Sequence, residues 1–170
     1  MDTRLDPTRV FHWGYVVQNM DRAVKTWLAQ GAEMIVPPAV DPIQNVSCAL
    51  LVYRGAVAIE LVAPLPEGPN PVEIRLKKGG GLDHVCFFTD DIAADLAALQ
   101  EEGGMVVVQP CYGAVFDRTL AFVITRAGLV VELMTRVAVG RHERDPLHDF
   151  LRRVEREPDR SPAARDISAV

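Results

Sequence analysis

Two histidine–glutamate pairs are the residues of this chain whose types and spacing could do metal chemistry. His12 lies 48 positions before Glu60, and His84 lies 48 positions before Glu132. Each member of the second pair follows its counterpart by 72 positions, which indicates two copies of one structural unit. Two imidazoles and two carboxylates form a donor set that suits Zn, Co, Ni, Mn or Fe. The pattern predicts one divalent metal site built from both copies.

The predicted elements repeat at the same offset, as β-α-β-β-β twice. A strand rich in Val, Phe, Tyr and Trp is predicted at 10–17 and again at 82–89, and a helix follows each, capped by Asn19 and by Asp91. Three shorter strands complete each copy: 34–36, 46–53 and 56–62 in the first, and 105–108, 119–125 and 128–134 in the second. The sequence therefore predicts an α+β fold that consists of two tandem βαβββ modules.

Strand alternation predicts that the four candidate ligands face inward. His12 shares its face with Gly14 and His84 with Cys86, so a small neighbour leaves room beside each imidazole. The alternative is that each histidine is an ordinary core residue and each glutamate a buried ion-pair partner. Unpaired carboxylates on the inner face of a sheet carry a large desolvation cost, which a metal ion removes. The repeated pairs therefore favour the metal site.

The predicted domain covers residues 9–136, with module one at 9–64, a linker at 65–81 and module two at 82–136. The linker is dense in proline and glycine and holds a predicted short helix at 71–78, which Asn70 would cap. Residues 137–170 form a predicted C-terminal extension. It contains one amphipathic helix that opens at Asp145, and its tail at 159–170 is expected to fray. The apolar stripe of this helix comprises Leu147, Phe150, Leu151 and Val154.

Composition narrows the class of partner. The net charge is −5 without a basic block, which argues against nucleic acid and anionic membranes and leaves a small molecule as the expected partner. No apolar run approaches the roughly 20 residues of a membrane span, and the N-terminus is not that of a secreted protein, so a cytoplasmic location is expected. Three cysteines without CxxC spacing are expected to be reduced thiols. His142 and His148 are expected on the surface.

The duplicated unit, opened by histidine and closed by glutamate, resembles the vicinal oxygen chelate superfamily, which includes glyoxalase I, extradiol dioxygenases and methylmalonyl-CoA epimerase. The segments IELVAP, NPVEIRLKKGGGLDHVCF, DDIAADLAAL and GLVVELM are similar to the epimerase group. The resemblance implies the vicinal oxygen chelate fold over about residues 9–136, in which the two βαβββ modules pair into a curved eight-stranded sheet around a central site. It further implies a homodimer, which is frequent in this superfamily, and a divalent metal ion. It also implies that the ligands are His12, Glu60, His84 and Glu132.

The resemblance implies an enolising isomerase or epimerase that acts on a small acyl thioester or a 2-oxo acid derivative, including CoA or glutathione thioesters. A carboxylate that leaves the metal can take the proton, so Glu60 and Glu132 are the candidate catalytic bases. Alternatives are a glyoxalase I-like lactoylglutathione lyase and a non-catalytic, antibiotic-sequestering member. An extradiol dioxygenase fits less well because a fourth protein ligand fills a position needed for oxygen.

Seven residues are candidates for substrate contact. Gln44 and Cys48 align near the position where some epimerases are thought to place a glutamate base, and Tyr112 and Phe116 lie in a loop expected to shape the pocket. The short linker helix could offer amides and cations to phosphates, although a solvated helix end explains the same residues. Its cations are Arg75, Lys77 and Lys78.

Overall fold

Eight strands form one curled sheet that holds the candidate ligands on its inner face. The structure is a computed structural model that describes residues 5–55, 57–143, 145, 147, 148 and 150–152. A short 3-10 turn at Pro7–Arg9 precedes the sheet. In chain order the elements are β1 (Val10–Val16), α1 (Met20–Ala29), β2 (Ala32–Asp41), β3 (Val46–Tyr53), β4 (Val57–Pro64), α2 (Glu73–Lys77), β5 (Gly81–Thr89), α3 (Ile92–Glu101), β6 (Met105–Gly113), β7 (Arg118–Ile124) and β8 (Val130–Thr135).

The strand order shows the duplication directly. It runs β2-β3-β4-β1-β5-β8-β7-β6, so the two halves mirror each other about the central pair β1 and β5. These central strands are antiparallel to each other, and each is parallel to the last strand of its own module. The predicted α+β class and the two βαβββ modules are confirmed. The division into domain, linker and extension at the stated residues stays a prediction.

The edge strands are longer than the sequence predicted. β2 continues to Asp41 and β6 to Gly113, well beyond the short segments expected around residues 34–36 and 105–108. Both strands contain proline, which cannot donate a hydrogen bond to the ladder and is therefore unusual inside a sheet. The structure places these prolines at an edge, where register shifts between Val36 and Ala39 and between Val108 and Cys111 accommodate them.

The helices begin as predicted in both modules, but the linker helix does not. The side chain of Asn19 accepts from the backbone N–H of Arg22, and that of Asp91 accepts from Ala94. In the linker, Asn70 accepts from the backbone N–H of Val72 in a turn that precedes the helix. The predicted helix at 71–78 is therefore only Glu73–Lys77. No helix among the described residues is long and apolar enough to cross a membrane.

Two apolar clusters lie under α1 and α3, on the convex side of the sheet. The helical spacing of Ile92, Leu96 and Leu99 predicts that α3 buries these three side chains, and the structure buries Leu96 and Leu99 and part of Ile92. In contrast, α1 packs only partly buried side chains against the sheet. The helical spacing of Ala23, Val24, Trp27 and Leu28 predicts that all four are buried, but Leu28 is 42% exposed, so the apolar stripe of α1 is narrower than the sequence predicts.

A third cluster lies inside the curled sheet and includes part of the C-terminal segment. Leu147 is fully buried in this cluster, and Phe150 and Leu151 pack against it. The segment is anchored by Arg118, which is paired with Asp145, and by Asp117, whose carboxylate accepts from backbone N–H groups of residues 140–142. Val154 and the tail at 159–170 lie outside the described residues. His142 and His148 are exposed, as expected.

Candidate metal centre

Four adjacent strands each supply one of the candidate ligands. In sheet order these strands are β4, β1, β5 and β8, which carry Glu60, His12, His84 and Glu132. Gly14 is paired with Glu60 on one side and with His84 on the other. Because side chains alternate along a strand, this register turns all four to the concave face. The fold thus brings together the two pairs that lie far apart in sequence.

The four donor atoms form a closed ring. Nε2 of His12 lies 3.2 Å from Oε2 of Glu60 and 3.0 Å from Oε2 of Glu132. Nε2 of His84 lies 3.2 and 3.4 Å from the same two oxygens. One ligand atom from each residue lies within 4.8 Å of all the others. Nitrogen and oxygen atoms therefore alternate around a common centre.

The ring is buried, and several of its polar atoms lack a hydrogen-bond partner. His12 is 0% exposed and Glu132 2% exposed. Nε2 of His12 and Oε2 of Glu132 make no hydrogen bond within the described part of the chain. Buried polar atoms without partners are costly, and a cation at the centre would satisfy both atoms together. The donor types and their convergence therefore fit a divalent metal ion, and this cluster could bind one.

The charges of the four candidate ligands also bear on what can bind between them. Burial disfavours protonation of His12, but the negative charge of Glu60 and the close carboxylate oxygens of both glutamates outweigh burial and raise the pKa of this imidazole. Burial also disfavours protonation of His84, but the hydrogen bonds to Asp83 and Glu60 and the nearby carboxylate of Glu132 raise the pKa of this imidazole well above its usual value. Burial alone would raise the pKa of the two glutamates, yet the imidazoles lower it. The two carboxylates thus favour a positive charge at the centre of the ring, which either protonated imidazoles or a bound cation can supply.

Gly14 makes room for one of the imidazoles. A Cβ atom at this position would lie 2.0 Å from Cε1 and 2.2 Å from Nε2 of His84. The backbone of β1 therefore has to approach this ring with no side chain between them. The equivalent position in module two is Cys86, which is fully buried beside Glu132.

A bulge precedes each histidine, and the two bulges carry different residues. The register of β1 and β5 leaves Phe11 as the extra residue before His12 and Asp83 as the extra residue before His84. Oδ2 of Asp83 lies 3.2 Å from Nδ1 of His84, an arrangement that directs Nε2 to the ring. The Phe11 ring lies 4.9 Å from that of His12, whose Nδ1 is without a hydrogen-bond partner in the described residues. The two imidazoles therefore have different neighbours: a carboxylate contacts Nδ1 of His84, whereas an aromatic ring lies beside His12.

Two buried thiols contact the carboxylates of the ring. Cys48 is within hydrogen-bonding reach of Glu60, and Cys86 is within reach of Glu132. Burial raises the pKa of both thiols well above the ordinary value, and the neighbouring carboxylates raise it further. Both cysteines are therefore protonated donors, and the three cysteines of the chain are free, as expected.

A cavity of about 490 Å³ opens beside the ring. Glu60, His84 and Glu132 form part of its wall, together with Asp83. The other lining residues are mainly aliphatic: Ile43, Gln44, Val46, Cys48, Val62, Pro71, Val72, Val107, Val108, Cys111, Phe122 and Val130. An apolar cavity with a few convergent polar groups is typical of a small-molecule site.

The candidate substrate contacts fall into two groups. Gln44 and Cys48 line the cavity. The other five are not among the residues that line it, and their proposed contact with substrate stays a prediction. Of these, Phe116 is buried in the interior cluster, and the hydroxyl of Tyr112 donates to Asp117. In the linker, Nε of Arg75 donates to the carbonyl of Gly80, Lys77 is paired with Glu73, and Lys78 is exposed.

Sequence reasoning missed most of the cavity wall, although the repeat contained a usable signal. Phe122 is paired with Glu132 in the sheet, as Leu50 is paired with Glu60, and the two are 72 positions apart. Applying the offset of 72 residues to β7 would have placed Phe122 beside the four candidate ligands. In the structure the centroid of its aromatic ring lies 5.3 Å from that of the His84 imidazole. Asp83 gave no comparable signal because its orientation depends on the bulge.

Comparison with known proteins assigns the family. Residues 11–122 match the Glyoxalase/Bleomycin resistance protein/Dioxygenase superfamily. The chain belongs to this superfamily. The match covers the strands that carry His12, Glu60 and His84. No curated protein matches the chain in sequence.

Solved structures similar to this member of the superfamily include methylmalonyl-CoA epimerases. The Mycobacterium tuberculosis epimerase is 24% identical, with a TM-score of 0.66 over 78% of this chain and 90% of that one. A glutamate-to-glutamine variant of the Streptomyces coelicolor epimerase, in complex with 2-nitronate-propionyl-CoA, is 27% identical, with a TM-score of 0.64 over 76% and 98%. An epimerase in complex with methylmalonyl-CoA and NH4+ is also 27% identical, with a TM-score of 0.64 over 77% and 96%.

Proposed function

We propose that this protein is a divalent-metal-dependent enolising isomerase or epimerase that acts on a small acyl thioester or a 2-oxo acid derivative. The observation that supports the proposal is the convergence of four buried donor atoms beside a cavity of about 490 Å³. The similarity to epimerases crystallised with CoA thioesters supports the substrate class. Cytoplasmic location and a homodimer remain part of the proposal.

Enolisation is the chemistry that the ring suits. A divalent ion held by His12, Glu60, His84 and Glu132 would polarise substrate oxygens and offset the charge that develops on them. The chain must then supply a base for the carbon-bound proton, and carboxylates beside the cavity can do so. Glu60 and Glu132 line the same cavity from β4 and β8, on either side of the central strand pair. One would remove the proton and the other would return it, so that no net oxidation is required.

The thiols of Cys48 and Cys86 would influence the proposed proton transfer by Glu60 and Glu132. One oxygen of each carboxylate faces the imidazoles. The protonated thiol of Cys48 lies beside the carboxylate of Glu60, and that of Cys86 lies beside the carboxylate of Glu132. The thiols of Cys48 and Cys86 would hold the carboxylates in place while their engagement with the centre changes. A hydrogen bond to the ionised carboxylate also tempers its basicity.

The test combines metal content with proton exchange. The purified protein and the variants Glu60→Gln, His84→Ala and Glu132→Gln would be loaded with Co, Ni, Mn or Zn and analysed by plasma mass spectrometry. We expect about one equivalent in the wild type and a loss in His84→Ala. Deuterium uptake from D2O at the carbon next to the thioester carbonyl would be followed by NMR. Glu132→Gln is expected to lose exchange, whereas Glu101→Gln, an exposed residue of α3, is the control.

Two outcomes would contradict the proposal. Full metal occupancy without exchange on any thioester or 2-oxo acid would refute the enzymatic function and favour a ligand-binding member. Wild-type exchange in Glu132→Gln would refute the role of that carboxylate. Exchange that ends in transfer of the proton to a neighbouring carbon would identify the glyoxalase-type isomerisation instead of epimerisation.

A further inference from the structure

A row of three side chains leads from the metal centre across the second module. Glu132 of β8 is paired with Phe122 of β7, and Phe122 is paired with Val108 of β6. Directly paired residues share a face of the sheet, and all three residues line the cavity. Neighbouring strands lie about 4.8 Å apart, so the row extends for roughly 10 Å from the four ligands to the edge of the sheet. Beyond Glu132 it consists of an aromatic and an aliphatic side chain.

Aliphatic side chains from other parts of the chain also line the cavity. Val130 precedes Glu132 by two residues on β8, and Val107 is the extra residue of the β6 bulge. Ile43 and Val72 come from the two segments that join strands of the first module to the rest of the sheet. Ile43 is 54% exposed and Val107 is 46% exposed. A ligand that covered these side chains would remove apolar surface from water, which favours binding.

The cavity has room for more than a short acyl group. Its volume of about 490 Å³ corresponds to roughly 16 water molecules at about 30 Å³ each. A methylmalonyl group has less than half as many non-hydrogen atoms. Water beside Phe122 and the valines finds no hydrogen-bond partner in those side chains, so an apolar group that displaces it gains affinity.

The length of the row sets the length of the group that would fill it. An extended chain advances roughly 1.2 Å per bond, as the polypeptide backbone does, so about 10 Å accommodates roughly eight carbons. The carrier arm of a CoA thioester suits the row less well, because its amide groups would lie against Phe122, Val108 and Val130 without a side-chain partner. Amides buried in this way cost binding free energy, whereas a hydrocarbon requires no partner.

The row therefore indicates the class of acyl group that the cavity suits. As an extension of the proposed function on which it rests, we propose that the acyl group carries an apolar substituent of about four to eight carbons beside its carbonyl. The polar end of the substrate would face the four ligands. The hydrocarbon would extend from Glu132 along Phe122 and Val108 to the edge strand β6.

Two series of ligands test the length of the substituent. One series consists of 2-alkylmalonyl-CoA thioesters and the other of 2-oxo acids, each with a methyl, propyl, hexyl or dodecyl group. Binding to cobalt-loaded protein would be measured by calorimetry and by the change in cobalt absorption, neither of which requires turnover. Each buried methylene should tighten binding by up to about fourfold. We expect a gain of at least about tenfold from methyl to propyl and again from propyl to hexyl, with little further gain for dodecyl.

The dependence on length decides the inference. A gain in either series that ends beyond the hexyl compound supports it. Equal affinities along both series, or no binding in either, would overturn it. A gain that continues at the same rate to the dodecyl compound would also overturn it, because this result indicates adsorption of hydrocarbon without a site of defined length.

Substitutions at the outer end of the row test where the substituent lies. Val108 is partly buried on an edge strand, so Val108→Phe would shorten the row with little disturbance of the sheet. We expect it to weaken binding of the hexyl compounds about tenfold and to leave the methyl compounds unchanged. Val108→Thr adds a hydroxyl group at nearly constant shape and should weaken the hexyl compounds about three- to tenfold. Met105→Phe, on the same strand but 59% exposed and outside the lining, is the matched control and should change neither affinity. An unaltered preference for hexyl in both Val108 variants would contradict the proposed position.

Deuterium exchange beside the carbonyl distinguishes failure of this inference from failure of the function on which it rests. If the hexyl compounds bind more tightly but no compound takes up deuterium, the substituent is correct and the enolising function fails. If the methyl compounds bind and exchange as well as the hexyl compounds, the function is correct and the substituent is wrong. Tighter binding of the hexyl compounds together with exchange supports both.

Discussion

Replacing Gly14 by alanine tests whether a backbone position without a side chain is what allows the metal centre to form. The added Cβ would lie 2.0 Å from the nearest atom of His84, and real Cβ contacts do not fall below 3.0 Å. The imidazole of His84 must therefore move by at least about 1 Å. Metal–nitrogen distances near 2.0–2.1 Å tolerate only about 0.2 Å. We expect His84 to be lost as a ligand.

The size of the effect follows from this displacement. Loss of a partner that merely orients a ligand typically costs 10- to 100-fold in metal affinity, so loss of the ligand should cost more than about 100-fold. The crowding itself should destabilise the metal-free protein by about 1–3 kcal/mol. The metal affinity would be measured by competition with a chromophoric chelator, and the stability by denaturant unfolding without metal.

Two controls isolate the contact with His84. At Gly113 an added Cβ would lie 2.4 Å from Leu120, so Gly113→Ala introduces similar crowding away from the ring and should leave metal affinity unchanged. In the double variant Gly14→Ala/His84→Ala the clash is removed, and the affinity should equal that of His84→Ala alone. A folded Gly14→Ala protein with wild-type metal affinity would refute the reasoning.

Three further predictions follow from the same contacts. Asp83→Asn should weaken metal binding by about 10- to 100-fold, measured by cobalt titration, because it weakens the partner of Nδ1 in His84. Chelation of a metal present at 100 times its dissociation constant should remove about 2.7 kcal/mol and lower the melting temperature by roughly 5–11 °C in a calorimetric scan. Asp117→Ala should cost about 1–3 kcal/mol in urea unfolding, because it leaves backbone N–H groups at 140–142 without their acceptor. Burial alone would raise the pKa of Asp117, but these N–H groups lower it, so the contribution is complete above about pH 4 and is lost as the pH falls through the lowered value. A wild-type advantage over the alanine variant that persists unchanged at pH 2 would contradict this account.

The fold and the ring were predictable because both are encoded by periodicity. The offset of 72 residues relates the copies, and the two-residue alternation of a strand determines which side chains share a face. These two periods are sufficient to bring His12, Glu60, His84 and Glu132 together. The N-caps Asn19 and Asp91 were predictable for a similar reason, since capping depends on local sequence.

The features that could not be predicted depend on departures from those periods. Asp83 reaches His84 because a bulge adds one residue to β5 at that point. β2 and β6 run through their prolines because both strands lie at an edge, which only the completed sheet defines. The exposure of Leu28 depends on how α1 sits on the sheet, a tertiary property that helical periodicity does not contain.

The duplication creates a symmetric ring, but the cavity beside it is not symmetric. Apart from Glu132, the cavity residues of β6, β7 and β8 have counterparts 72 positions earlier that are packed in the interior cluster: Ile35, Val36, Ala39, Leu50 and Ala58. Likewise Ile43 and Gln44 of the cavity correspond to Val115 and Phe116 of that cluster. Leu147 is buried among them, so the C-terminal segment fills the space that the symmetry would otherwise leave open. The cavity therefore opens on the side of His84 and Asp83, from which a substrate would approach, while His12 is fully buried. Both glutamates still line this one cavity, which is the arrangement that the proposed proton transfer at two faces of one carbon would require.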